Sequence, residues 1–179
     1  MARKMPLSPD TSYMLGLYRC GPGSSRSICL QTDSNMLVER FVRIAVMELG
    51  TKTYSIAVKK TGKGTRAEIS NSKLKKLMDK ALSERDRLFR YRNEYSGSYF
   101  GAIFDCSGGT DGKRVYLDAD PMDAIILERL GFHTGRSRGR CYIRNSVEFI
   151  EFISPFSIAA RLPGLKQESS VGKGHLGRA

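Results

Sequence analysis

The sequence of 179 residues lacks the residues and segments that mark several classes of protein. It has two histidines and four cysteines, and no two cysteines stand in a Cys-x-x-Cys pair, so the usual zinc motifs are absent. No apolar run approaches the roughly 20 residues that a membrane-spanning helix needs. The N-terminus has basic residues but no apolar segment after them, which argues against a secretory signal. We therefore expect an intracellular protein with reduced cysteines, in the cytoplasm, the nucleoid or an organelle.

Acidic residues are scarce relative to basic ones. The chain has 30 Lys and Arg against 18 Asp and Glu, a formal net charge of +12 and a pI near 9.8. Hydrophobic residues make up 40% and the mean hydropathy is −0.34, as expected of a soluble globular protein. This excess of positive charge favours a polyanionic partner, most simply nucleic acid. No basic amphipathic helix stands out, so we expect no membrane partner.

An internal repeat organises the chain. Residues 13–21 and 99–108 are short apolar stretches that contain glycine, and each precedes a strand-like run, a helix, a basic hairpin and a second helix. Recurrence of this order predicts two related halves. Two further pairs of matching segments support it, namely residues 30–33 with 117–120 and residues 69–72 with 143–146.

The repeat and the turn residues predict the domain organisation. We expect a flexible lead over residues 1–11, a domain over 12–156 with halves at about 12–90 and 95–156, and a basic, disordered tail over 162–179. The pattern predicts a mixed fold of helices and strands, α/β in the broad sense and α+β in the narrower one. The predicted elements are helices ending near 20, 50, 90, 107, 130 and 152, strands at 26–31 and 114–117, and hairpins with tips at 60–64 and 135–140.

The two glycine-containing helices resemble the LAGLIDADG homing-endonuclease family, in its single-chain form with two motifs. The resemblance covers roughly residues 12–156. It implies two pseudo-twofold halves, with the motif helices packed at the centre through Gly16, Gly101 and Ala102. It also implies that two curved sheets form a saddle over DNA. Small residues allow helix axes to approach closely, which agrees with this role.

The resemblance also shows where catalytic acids are missing. Family members bind divalent metal through one acid at the end of each motif helix, and these positions correspond here to Gly21 and Ser107. Neither residue supplies an anionic oxygen ligand. We expect no catalytic residue, metal or cofactor. If Asp105 or Asp111 replaces the missing acids, the chain is instead a Mg-dependent endonuclease. Asp105 is expected to point the wrong way on its helix, and Asp111 is expected in a flexible turn.

Basic residues near the hairpin tips and strands are the predicted nucleic-acid contacts. Similar positions in both halves would track phosphates on both sides of a groove, and arginine on a β-ribbon can read guanine in the major groove. The candidates are Arg26, Lys59, Lys60, Lys63, Arg66, Lys113, Arg114, Arg136, Arg138 and Arg140.

These features predict a monomeric protein that binds double-stranded DNA and lacks nuclease activity. It would be a regulator or the relic of a mobile-element endonuclease. Three alternatives stay open: an active site-specific endonuclease, an RNA-binding intron maturase, and a basic interaction module with no nucleic-acid role. Carboxylates at both Gly21 and Ser107 would supply two hard ligands near the twofold axis, and we expect this double change to restore metal affinity more readily than cleavage.

Overall fold

A computed structural model describes residues 6–112 and 114–161. Two series of helices and strands follow one another along the chain, and both sheets are antiparallel, so α+β is the correct fold class. Within the described residues, no helix is long and apolar enough to cross a membrane. The elements are α1 (Pro9–Cys20), β1 (Ile28–Thr32), α2 (Asn35–Met47), β2 (Ile56–Thr61), β3 (Gly64–Ile69), α3 (Ser72–Ser83), α4 (Arg85–Leu88), α5 (Glu94–Ser107), β4 (Gly109–Asp111), β5 (Arg114–Leu117), α6 (Pro121–Arg129), β6 (Thr134–Ser137), β7 (Arg140–Ile143) and α7 (Ser146–Ile153).

The repeat predicted from the sequence reappears in the topology. The first sheet has the order β1-β3-β2, and the second has the order β4-β5-β7-β6, so β5, β7 and β6 correspond to β1, β3 and β2. Ile69 ends β3 and Ile143 ends β7, and an asparagine then stands at the N-cap of the next helix in both halves. The added strand is β4, which the sequence analysis did not predict.

The register of each sheet divides its residues between two faces. In the first sheet, Ile28 is paired with Ile69, and both are fully buried. In the second, Val115 is paired with Ile143, and these are also buried. Because side chains alternate along a strand, the residues between these positions point away from the core. We call that side the outer face of each sheet.

Helices α1 and α5 form the centre of the core. Both have low amphipathicity because they are buried nearly all round, and residues 11–17 and 96–104 are all buried. Polar side chains cap their N-termini: Ser8 accepts from the backbone N–H of Thr11, and Asn93 accepts from that of Ser96. The motif helices are therefore held by packing along their length and by caps at their start.

A buried charge network ties the two halves together. The carboxylate of Asp123 is fully buried and receives Arg19 at 2.8 Å, Arg85 at 3.0 Å and the hydroxyl of Tyr99 at 2.9 Å. Arg85 also contacts Asp120 at 2.6 Å. The two arginines come from α1 and α4 in the first half, whereas the carboxylates belong to α6 and its N-cap in the second. Removing one partner of such a cluster leaves an uncompensated buried charge, so it fixes how the halves pack.

The folded region begins earlier and ends later than the predicted 12–156. Helix α1 starts at Pro9, within the predicted flexible lead, because Ser8 caps it and proline suits the first turn. At the other end, Ser157 and Ala160 are buried, and a 3₁₀ turn spans Ala159–Arg161. The predicted basic tail at 162–179 lies outside the described residues.

Candidate nucleic-acid interface

Gly16 brings the two motif helices into close contact. A Cβ at this position would lie 2.5 Å from the carbonyl oxygen of Tyr99 and 2.7 Å from the Cβ of Ala102. One turn further along, the sulfur of Cys20 lies 3.9 Å from the hydroxyl oxygen of Ser107. Because later residues of α1 meet later residues of α5, the helices run in the same direction. Gly16 and Ala102 thus lie at the interface that the sequence predicted.

Gly101 does not belong to this interface, contrary to the prediction. A Cβ there would approach the backbone nitrogen of Ser157 at 3.3 Å and the Cβ of Phe156 at 3.6 Å. Successive helical residues are separated by 100° around the axis, so Gly101 is turned away when Ala102 faces α1. Its small size instead admits the turn that follows α7.

The ends of the motif helices carry no acid. Gly21 is the C-cap of α1, and Ser107 is the last residue of α5 with its hydroxyl donating to the carbonyl of Ile103 at 3.1 Å. The thiols of Cys20 and Cys106 lie beside them. The hydrogen bond from Cys106 and the charge of Arg19 lower the pKa of Cys20 despite burial, whereas the hydrogen bond to Cys20, burial and nearby negative charge raise the pKa of Cys106.

These residues do not fit a hard divalent cation. Mg²⁺ prefers carboxylate and water oxygens in octahedral geometry, and here the side chains are two thiols and one hydroxyl already hydrogen-bonded to the helix. No group of three or more His, Cys, Asp or Glu able to hold a metal occurs within residues 6–112 and 114–161.

Gly21 also has no room for a replacement acid. A Cβ added there would lie 1.9 Å from the carbonyl oxygen of Cys29, which is backbone and has no rotamer to change. An aspartate at position 21 therefore clashes with the backbone of β1, which counts against the expected gain of metal affinity. An acid at this position requires the start of β1 to move.

Asp105 has a structural role that occupies its carboxylate. It accepts hydrogen bonds from the backbone N–H groups of Ile158 at 2.7 Å and Ala159 at 2.9 Å, and from the hydroxyls of Tyr13 and Ser157. Burial and the adjacent Asp105 raise the pKa of Tyr13, which stays a neutral donor. Asp105 therefore caps the final turn and anchors it to α1. Its carboxylate points to these partners, and the sequence also predicted that it would point the wrong way to replace a missing catalytic acid.

Asp111 is in a strand and not in the flexible turn that the sequence predicted. It is the last residue of β4 and pairs in register with Arg114 of β5. Its carboxylate lies 3.4 Å from the Arg114 guanidinium and accepts from the hydroxyl of Tyr142 at 3.2 Å. Asp111 thus belongs to the outer face of the second sheet.

The outer face of the first sheet presents two of the predicted basic residues. Lys59 and Arg66 are directly opposite each other on β2 and β3, and Arg66 is opposite Gln31 on β1. Arg66 lies 3.2 Å from Glu68 and 3.4 Å from the sulfur of Cys29. This surface is therefore polar and basic, with one arginine already paired to an acid.

The outer face of the second sheet is an arginine–tyrosine surface. The Arg140 guanidinium lies 4.2 Å from the ring centre of Tyr116, and that of Arg114 lies 4.8 Å from the ring centre of Tyr142. The two tyrosine rings are 5.9 Å apart. Contacts at these distances are cation–π interactions, which attract an arginine to the face of a ring. We call Arg114, Arg140, Tyr116 and Tyr142 the arginine–tyrosine cluster.

Two predicted contacts lie on the core side of their sheets. Lys60 is adjacent to Lys59 on β2, so the alternation turns it to the opposite face. Arg136 is opposite the buried Cys141 and donates to the carbonyl of Ala119 at 3.2 Å. These two residues are exposed near the sheet ends, but they do not share the outer surface that the sequence assigned to them.

The remaining predicted contacts lie in turns or bends, or outside the described residues. Lys63 lies in the first hairpin turn, and Arg26 lies in an exposed bend before β1. Arg138 occupies the second hairpin turn with φ of 50°, followed by Gly139 at 76°, which is the backbone of a type I′ turn. Lys113 lies outside the described residues.

Sequence reasoning missed Tyr116 and Tyr142. Each is two residues from an arginine on the same strand, so period-two alternation was the available signal. Their pairing across β5 and β7 depends on strand register, which the sequence does not show.

Comparison with known proteins agrees with this geometry. Neither a protein-family model nor a curated protein sequence matches the chain. Among solved structures, the homing endonuclease I-DmoI in complex with DNA and Ca is 19% identical, with a TM-score of 0.68 over 87% of this chain and 96% of that one. Full-length DUF199/WhiA from Thermotoga maritima is 15% identical, with a TM-score of 0.65 over 95% of this chain and 62% of that one. The N-terminal LAGLIDADG domain of DUF199/WhiA is 13% identical, with a TM-score of 0.59 over 91% of this chain and 89% of that one.

At these identities the likeness concerns the fold. The α+β topology, the parallel central helices and the two antiparallel sheets agree with the resemblance inferred from the two glycine-containing helices. This chain is a protein of the LAGLIDADG fold.

Proposed function

We propose that the protein binds double-stranded DNA across the outer faces of its two sheets. The observation that carries the proposal is the sorting of basic side chains by strand alternation. Lys59 and Arg66 share the outer face of the first sheet, and Arg114 and Arg140 share that of the second. Lysine and arginine neutralise phosphates and displace counterions, which supplies most non-specific affinity for DNA.

The hairpins suit a duplex partner. The major groove of B-DNA admits a two-stranded β-ribbon, and each sheet ends in a hairpin whose turn carries a basic residue, Lys63 or Arg138. The solved structure of I-DmoI with DNA is a further support, because that protein shares the fold and holds a DNA ligand. Both halves occur in one chain, so we propose that a monomer forms the complete interface.

We further propose that this binding occurs without cleavage. The support is the chemistry at the ends of the motif helices, where Gly21 and Ser107 replace the acids that the family resemblance requires. The two fallback acids have other partners: Asp105 caps the last turn, and Asp111 holds Arg114. Such a protein would act as a regulator or be the relic of a mobile-element endonuclease.

The test is a paired assay of binding and cleavage. The full chain is incubated with a randomised duplex library in Mg²⁺ or Mn²⁺, and the bound and cleaved fractions are sequenced separately. We expect retention of duplex DNA with no metal-dependent cleavage. Competition with single-stranded DNA and with structured RNA, at the same nucleotide concentration, measures the preference for duplex DNA.

Each alternative corresponds to a distinct result. Cleavage that requires metal and is lost in Asp111→Asn supports an active endonuclease and contradicts the proposed inactivity. Stronger competition by RNA than by duplex DNA supports an RNA-binding function. Absence of binding to any nucleic acid at low salt contradicts the proposed function altogether.

A further inference from the structure

The two outer faces differ in chemistry although the halves share a fold. The second sheet has both of its outer-face arginines on tyrosine rings, at 4.2 Å and 4.8 Å. The first sheet has no aromatic residue at the outer-face positions of β1, β2 and β3. Its basic residues there are Lys59, a flexible point charge, and Arg66, which has a carboxylate partner in Glu68, as Arg114 has in Asp111, but lies on no aromatic ring of the first sheet.

In the arginine–tyrosine cluster, the tyrosine rings restrict the orientations of the two guanidinium groups and therefore of their N–H donors. A guanidinium held over a ring has less side-chain freedom to lose when a ligand binds, and its planar fork of N–H groups is already pre-organised. Arg140 is exposed, and among residues 6–112 and 114–161 no carboxylate lies within ion-pair distance of it. Arg114 is 65% exposed and is fixed further by Asp111. Both side chains are thus pre-organised and accessible.

The supports beneath the rings are also specific. Gly109 on β4 leaves space for Tyr116, since a Cβ there would lie 2.6 Å from the tyrosine hydroxyl oxygen. The hydroxyl of Tyr142 is held by Asp111, which also holds Arg114. Strand β4 has no counterpart among the described residues of the first half, so these supports belong to the second sheet.

From this geometry we infer that the arginine–tyrosine cluster is a guanine-reading site, which gives the second half of the protein its sequence preference, while the first sheet contacts phosphates. A pre-organised guanidinium fork matches the O6 and N7 acceptors of guanine in the major groove, whereas a lysine, which can also contact these atoms, has no planar fork that a ring could hold in place. The inference rests on the proposed DNA binding and adds to it which sheet discriminates bases and through which residues.

The decisive variant is Arg140→Lys, which keeps the positive charge but removes the planar fork. Wild type and variant are each used to select from a randomised duplex library, and base preferences are read by sequencing. We expect wild type to enrich guanine in one half of the selected site. Arg140→Lys is expected to lose about 5-fold to 150-fold of the preference for guanine at one position, with the salt dependence of binding unchanged.

Two matched controls distinguish recognition of guanine by Arg140 from a general effect of charge and from a loss of folding. Arg136→Lys makes the same change on the opposite face of the same sheet and is expected to leave every preference unaltered. Tyr116→Phe keeps the ring and should retain the preference, whereas Tyr116→Leu removes it and should weaken the same position that Arg140 reads. Thermal unfolding of each variant confirms that it is folded.

The outcomes distinguish the inference from the proposed function. Duplex binding by wild type with no guanine preference, or a preference that Arg140→Lys leaves intact, overturns the inference alone. A preference that maps instead to Lys59 or Arg66 places base reading in the first sheet and also overturns it. Failure of wild type to bind any duplex overturns the proposed function and, with it, this inference.

Discussion

Replacing Gly16 by alanine tests the packing of the motif helices. In an ordinary helix interior this change is stabilising, because alanine is favoured over glycine by about 1 kcal/mol. Here the new methyl group would lie 2.5 Å from the Tyr99 carbonyl oxygen and 2.7 Å from the Ala102 Cβ. The carbonyl is part of α5 and has no alternative rotamer, so the helices must separate. We therefore expect the sign of the effect to be reversed.

The magnitude follows from these opposing contributions. Overpacking a tight core costs about 1–3 kcal/mol, and contact with backbone places this site near the upper end. Subtracting the gain of about 1 kcal/mol in helix propensity leaves a net loss of about 2 kcal/mol in the free energy of unfolding. For a chain of this length, such a loss lowers the melting temperature by about 4–8 °C.

Gly101→Ala is the matched control in the neighbouring helix. Its methyl group would meet its nearest neighbour, the Ser157 nitrogen, at 3.3 Å, so a shift of a few tenths of an ångström relieves the contact. The gain in helix propensity then offsets most of the cost, and stability should stay within about 1 kcal/mol of wild type. Urea unfolding followed by circular dichroism measures both variants. A Gly16→Ala protein as stable as wild type, or equal losses in the two variants, would refute the assigned helix contact.

Three further changes test other parts of the site. Asp105→Asn should lower the free energy of unfolding by about 1.5–3 kcal/mol, since charged hydrogen bonds to the last turn are lost, and it should leave DNA affinity unchanged at a temperature where it is folded. Gly21→Ala should cost about 3 kcal/mol or more because its methyl group meets a backbone carbonyl, whereas Gly23→Ala, with open space around it, should change stability little in the same urea titration. Burial raises the pKa of Asp120, but a backbone N–H and Arg85 outweigh burial and lower the pKa below its usual 3.8, so its stabilising contribution is present above that pH and lost as the pH falls through the lower folded value. The stability difference between wild type and Asp120→Asn should accordingly shrink below about pH 4, and a difference that grows with acid would contradict this assignment.

The sequence predicted the features that depend on local chemistry. The helices that end at Cys20, Ser107 and Arg129 were predicted from their apolar residues and from the glycines that follow within two positions. Strand β4 was not, because Gly109, Thr110 and Asp111 have the composition of a turn, and only pairing with β5 makes them a strand.

The candidate site was predicted in part, for similar reasons. Treating each hairpin tip as one basic unit assigned Lys60 and Arg136 to the same surface as their neighbours, although alternation along the strand turns them to the core side. In the same way, the 100° rotation between successive helical residues would have placed Gly101 and Ala102 on different sides of α5. The arginine–tyrosine cluster needed the register between β5 and β7, a long-range pairing with no local signature.

The salt dependence of duplex binding tests the central claim most directly. Two double variants remove the same charge, one from the outer faces (Lys59→Ala with Arg140→Ala) and one from the core-side faces (Lys60→Ala with Arg136→Ala). Each phosphate contact contributes about one unit to the slope of log affinity against log salt. Since the inferred role of Arg140 is at bases, the outer-face variant should lose affinity severalfold and about one unit of slope through Lys59, while the core-side variant keeps the wild-type slope. Equal slopes and affinities for the two variants would contradict binding through the outer faces.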